Sequence, residues 1–94
     1  MEQETKHIRI HGYVQGVGYR AWASKLAMRL ALKGWVRNVA HDASVEAVVT
    51  GYAEDIQKFV SQCYDGPQAA KVDIVHVTEG INKDFKEFEI RETA

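Results

Sequence analysis

The strongest constraint on this chain is a change of hydrophobic period within one short segment. His7-Ile8-Arg9-Ile10-His11 alternates polar and apolar side chains, and the alternation continues to Val14, as in a half-buried strand. Gln15-Gly16-Val17-Gly18 interrupts it. From Tyr19 onward the spacing is helical, with Tyr19, Ala23, Leu26, Ala27 and Leu30 on one face. A strand enters a glycine loop and a helix leaves it, with Gly34 just past the helix as its expected stop signal.

The remaining chain continues in short elements. Trp35 to Val39 reads as a second strand, His41-Asp42-Ala43 as a tight turn, and Ser44 to Thr50 as a third strand, so these two form a hairpin ended by Gly51. Ile56, Phe59, Val60 and Cys63 have the spacing of a second amphipathic helix, closed by Gly66-Pro67. Ala70 to Thr78 reads as a fourth strand whose alternation slips between Ile74 and Val75, the mark of a bulge. A polar loop over Glu79 to Lys86 leads to a short edge strand at Phe88-Glu89-Ile90.

The order is βαββαβ with a short additional C-terminal strand. Each helix is apolar on one side only, so both pack on one face of a mostly antiparallel sheet. The expected fold class is α+β, a ferredoxin-like two-layer sandwich. A right-handed crossover through the first helix makes the first two strands parallel, with the third between them. The glycine loop and the end of the second strand then share one rim. Strands lie about 4.8 Å apart, so the gap across that rim is on the order of 10 Å, which a loop and an arginine can close around a phosphate-sized ion.

At 94 residues the chain has room for one domain, read as 1–94 with a flexible polar tail over about 1–6. The formal net charge of −1, with both signs interspersed, argues against a nucleic-acid binder that relies on a broad basic face. Cys63 is the single cysteine, which excludes an internal disulfide and fits a reducing compartment. The start Met1-Glu2-Gln3-Glu4-Thr5 does not have the basic and apolar character of a signal peptide, and no apolar run reaches membrane-spanning length. A cytoplasmic, monomeric protein with no membrane or nucleic-acid partner is expected.

The loop itself suggests chemistry. Glycines let consecutive backbone N–H groups converge, and the first turn of a helix adds unpaired N–H groups and positive dipole character. A tight turn whose glycines serve only the backbone explains Gly16 and Gly18 equally well. Arg20 tips the balance, because a cation in the first turn opposes the dipole unless an anion sits between them. No Gly-Lys-Ser/Thr follows, so this is not a P-loop. Gly16-x-Gly18-x-x-Ala21 matches a dinucleotide fingerprint only formally: the chain is too short for two mononucleotide halves, and Asp42 falls in a hairpin turn. The same donors lead one to expect inorganic phosphate to bind and inhibit.

Gly12-x-Val14-Gln15-Gly16-Val17-Gly18-Tyr19-Arg20 resembles the first acylphosphatase signature, and Gly34-Trp35-Val36-Arg37-Asn38 with Ser44-Val45-Glu46 resembles the second, at matching spacing. The resemblance covers nearly the whole chain, including Gly51 and Gly66-Pro67. It implies hydrolysis of the carboxyl-phosphate bond of acyl phosphates to carboxylate and inorganic phosphate, without metal or cofactor. Arg20 would bind the phosphate, Asn38 would hold the attacking water, and the backbone of Gln15, Gly16, Val17, Gly18 and Tyr19 would complete the cradle. Ala31 and Ala43 stand where the family has glycine, both at backbone positions.

Other readings are weaker. His7 and His11 share a strand face, but no third ligand is evident, so a solvated outer face is favoured over a metal site. Cys63 falls on an apolar stripe, as a buried structural thiol does. Trp22 and Trp35 read as packing residues and His41 as a turn residue. An RNA-recognition module of the same fold stacks bases on aromatics of the central strands, and Val45-Glu46-Ala47-Val48-Val49 has none. A catalytically quiet relative serving as a small-ligand or interaction module is disfavoured by the presence of both Arg20 and Asn38, although fold alone does not decide it.

Overall fold

The computed structural model describes residues 2–81 and 84–94. Its elements are β1 (Gln3–Tyr13), α1 (Tyr19–Arg29), β2 (Lys33–Val39), β3 (Ser44–Tyr52), α2 (Ala53–Cys63), β4 (Lys71–Glu79) and β5 (Phe88–Ile90). They form one five-stranded sheet in the order β4-β1-β3-β2-β5. β3 is antiparallel to both β1 and β2, so β1 and β2 run parallel with β3 between them, as the crossover rule requires. The βαββαβ ferredoxin-like fold is thereby established.

The two-residue alternation of the strands builds the inner face. Ile8 pairs with Ala47 and Ile10 with Val45, while Val36 pairs with Ala47 from the other side. These residues are almost fully buried beneath Ala23, Leu26 and Ala27 of α1 and Ile56, Phe59 and Cys63 of α2. Phe88 extends the same layer to β5, which pairs in parallel with β2.

Several boundaries differ from expectation. β1 begins at Gln3, so most of the segment read as a polar tail is strand paired to β3, with Gln3 opposite Tyr52. β3 runs through Gly51 to Tyr52 instead of ending at Gly51. α1 is stopped not by Gly34 but by Ala31, whose φ of 57° is left-handed. Gly34 lies inside β2, and a Cβ there would sit 1.9 Å from the Val48 carbonyl oxygen, so glycine serves a close strand approach. The bulge in β4 falls at Asp73, between the pairs Gly12–Val72 and His11–Ile74, one residue before the expected slip. Among the described residues no helix is long and apolar enough to cross a membrane.

Candidate active site

The C-terminal ends of β1 and β2 meet the start of α1 at a cleft of about 270 Å³. Gly16, Gly18, Tyr19, Arg20 and Asn38 line it, together with Val14, Ala21 and Ile90. The topology brings Arg20 and Asn38 together although eighteen positions separate them in sequence.

The loop is shaped to leave donors free. Gly16 and Gly18 have φ of 74° and 79°, values that L side chains adopt at a cost. Gly18 is the N-cap of α1 and supplies no capping side chain, and no acidic residue lies in the first turn. The first intrahelical bond is Trp22 N–H to the Gly18 carbonyl, 3.0 Å. Among the described residues, the N–H groups from Gln15 to Tyr19 donate to no backbone carbonyl. Likewise nothing among them accepts from the Arg20 guanidinium or engages the Asn38 side-chain amide. Unpaired amides, an uncompensated helix N-terminus and an unpartnered guanidinium form an anion-binding geometry.

Two side chains hold this geometry in place. Tyr19 is 2 % exposed, and its hydroxyl donates to the Cys63 carbonyl at 2.7 Å, anchoring the start of α1 to the end of α2. Burial raises its phenol far above the ordinary range, so Tyr19 is neutral. Gln15 turns its side chain away from the cleft: Nε2 donates to the carbonyls of Val39 at 3.1 Å and Ser44 at 2.9 Å. Sequence reasoning missed this, because a glutamine beside two glycines carries no sign of where its amide goes. Val17 is partly buried against the core and contributes no side chain to the cleft.

Ile90 was also missed. It was read only as part of a short edge strand, yet its pairing with Val36 brings it to the cleft, where it stays 48 % exposed.

The outer sheet face is structured without resembling this cleft. His7 contacts Glu46 at 2.6 Å, and Arg37 Nε donates to Glu46 at 2.7 Å. Burial works to raise the Glu46 carboxyl, but those hydrogen bonds and charges outweigh it and hold it below its ordinary value. His11 meets the ring of His76 edge-on, and Trp35 lies against the guanidinium groups of Arg37 and Arg91. A cavity of about 420 Å³ on this face is lined by His7, Trp35, Val48, Phe85 and Arg91 among others. Though larger, it is the poorer candidate for anion chemistry, because its basic groups are already engaged, His7 by Glu46 and Arg91 by Glu89. No group of three or more His, Cys, Asp or Glu residues is placed to hold a metal ion among the described residues.

Residues 6–90 match the family model described as Acylphosphatase. An acylphosphatase of Acidovorax sp. (strain JS42) is 46 % identical over 89 residues, spanning 95 % of this chain and 91 % of the relative. The structure of an acylphosphatase from Coxiella burnetii superposes with a TM-score of 0.91 at 34 % identity, covering 95 % of this chain and 93 % of that one. The crystal structure of the acylphosphatase from Bacillus subtilis gives 0.88 at 32 % identity, covering 96 % and 99 %.

Proposed function

This chain belongs to the acylphosphatase family and is an acylphosphate phosphohydrolase, and from that premise we propose how its cleft performs the hydrolysis. The observation that carries the reading is the convergence of free loop amides, an unpartnered Arg20 and Asn38 on one small cleft.

An acyl phosphate already has a good leaving group, a carboxylate. Attack at phosphorus needs positioning and neutralisation of charge on the phosphoryl oxygens more than covalent help. Arg20 and the backbone N–H groups of Gln15 to Tyr19 neutralise those oxygens. The side-chain oxygen of Asn38 accepts a hydrogen bond from the attacking water and fixes its approach. The water oxygen forms a bond to phosphorus as the bond from phosphorus to the acyl oxygen breaks. The bonding pair leaves with the carboxylate, and the water's proton passes to a phosphoryl oxygen, because a carboxamide is not basic at neutral pH. Ile90 offers an apolar wall for the acyl group at the mouth.

Inorganic phosphate, the product, binds the same donors and inhibits competitively. The chain acts as a single domain, a reading supported by one continuous core cluster, and works as a monomer. A reducing cytoplasmic location accords with its single, free and buried cysteine.

Amide chemical-shift mapping with inorganic phosphate tests the site. The shifts are expected to centre on Gly16 to Arg20; shifts centred on His7 and His11 would refute the assignment.

A further inference from the structure

We propose that the Gln15 side chain is a positioning residue for hydrolysis: it fixes the distance between the phosphate loop and the strand end that carries Asn38. This rests on the water-holding role of Asn38 given above.

The loop and Asn38 belong to different parts of the chain. The cradle is one continuous backbone segment running from the end of β1 into α1. Asn38 lies near the end of β2, beyond the intervening β3. Strand pairing alone leaves this relation loose, because β1 ends at Tyr13, before the loop begins.

Gln15 closes that gap. Val39 and Ser44 are Cα partners on the last rung of the β2–β3 hairpin. The two N–H groups of Gln15 Nε2 reach both of their carbonyls, at 3.1 and 2.9 Å. One of those acceptors directly follows Asn38 in the chain, and the donor directly precedes Gly16. The receiving rung is itself rigid. Ser44 is fully buried, its hydroxyl donates to Asp42 at 2.6 Å, and the same hydroxyl accepts from Arg9 Nε at 2.9 Å. Asp42 also accepts from the Ser44 backbone N–H at 3.1 Å. The loop is therefore fastened to a hairpin end that β1 already braces.

Small displacements matter to such a reaction. A misplacement of about 1 Å between reacting groups lowers rate by about a hundredfold. Loosening Gln15 leaves the cradle donors together, since they share one segment, while separating them from Asn38. Turnover should fall, and phosphate affinity should change much less.

A double-mutant cycle between Gln15 and Asn38 tests this with benzoyl phosphate as substrate. Gln15→Met keeps the length of the side chain and removes its donors. It is expected to lower kcat at least about tenfold in the wild-type background and less than about twofold in Asn38→Ala, with the phosphate inhibition constant within about threefold of wild type. A purely structural Gln15 predicts equal, multiplicative losses in both backgrounds, and that result overturns the proposal. So does a loss confined to phosphate affinity. If Gln15→Met does not fold, Gln15→Asn, which keeps the amide but is too short to span both carbonyls, carries the same cycle. A normal kcat in Asn38→Ala alone would instead overturn the underlying role of Asn38, so the two failures are distinguishable.

Discussion

The Tyr19 hydroxyl donates to the Cys63 carbonyl at 2.7 Å, joining the first residue of α1 to the last residue of α2. The bond is buried, and its acceptor is a carbonyl at a helix C-terminus, where intrahelical partners run out. Tyr19→Phe keeps the ring and strands that carbonyl. Unfolding in urea should show a loss of about 1–2 kcal/mol relative to wild type. Stability equal to wild type would mean that the two helix ends are held by packing alone.

Alkali should attack the same contact. Burial pushes the Cys63 thiol from an ordinary value of 9.0 up to about 12 and raises the Tyr19 phenol as well. Both groups are neutral when folded and ionise more readily when unfolded. Their stability contribution is complete below the unfolded pKa values and is lost as pH rises toward the folded ones. Stability should therefore begin to fall above about pH 9, and Cys63→Ala should remove the earliest part of that slope. Urea midpoints between pH 8 and 11 check this. A flat profile would contradict the burial of both groups.

The acid side has the opposite sign. Glu46 lies below its ordinary 4.5 because the hydrogen bonds and charges of His7 and Arg37 outweigh its burial. Its contribution is complete above the unfolded value and disappears as pH falls through the folded one. Stability measured downward from pH 5 should drop, and Glu46→Gln should flatten that limb. An identical acid limb in the variant would show that the outer-face network adds nothing.

Ala31 and Ala43 are the non-glycine residues with positive φ among those described, both at 57°. A left-handed alanine costs about 1–2 kcal/mol, part of which glycine gives back through greater freedom of the unfolded chain. Ala31→Gly and Ala43→Gly should each raise stability by about 0.5–1 kcal/mol in urea unfolding. A decrease at either position would mean that neighbouring contacts, not backbone strain, decide it.

Much of the architecture was legible because period and turn chemistry agree locally. The change from strand to helix at Gly16-Val17-Gly18 marks the loop that lines the candidate cleft, and the handedness of the crossover predicts that Arg20 and Asn38 share one rim, as they do. What stayed hidden depends on partners distant in sequence. Gln3 to Lys6 has no apolar pattern of its own and becomes strand because β3 extends opposite it. Gly34 looks like a helix stop, and only the nearness of the Val48 carbonyl reveals its role inside β2. Ala31 ends a helix in a conformation for which alanine is no signal. The destinations of the Gln15 amide and of Ile90 follow from the hairpin register and from β5 pairing, neither of which is written in their own segments.

The division of labour between Arg20 and Asn38 is tested most directly by one kinetic comparison. Turnover, Michaelis constant and phosphate inhibition constant are fitted for wild type, Arg20→Ala and Asn38→Ala on benzoyl phosphate. In the proposed mechanism Arg20 meets the phosphate in both ground state and transition state, so Arg20→Ala should weaken phosphate binding and catalysis together. Asn38 is proposed to contact the water, so Asn38→Ala should cut turnover by at least about a hundredfold, as loss of one preorganised group does, with little change in phosphate affinity. If Asn38→Ala instead weakened phosphate binding as much as Arg20→Ala while turnover stayed near wild type, Asn38 would be a second phosphate ligand and the water-positioning mechanism would be wrong.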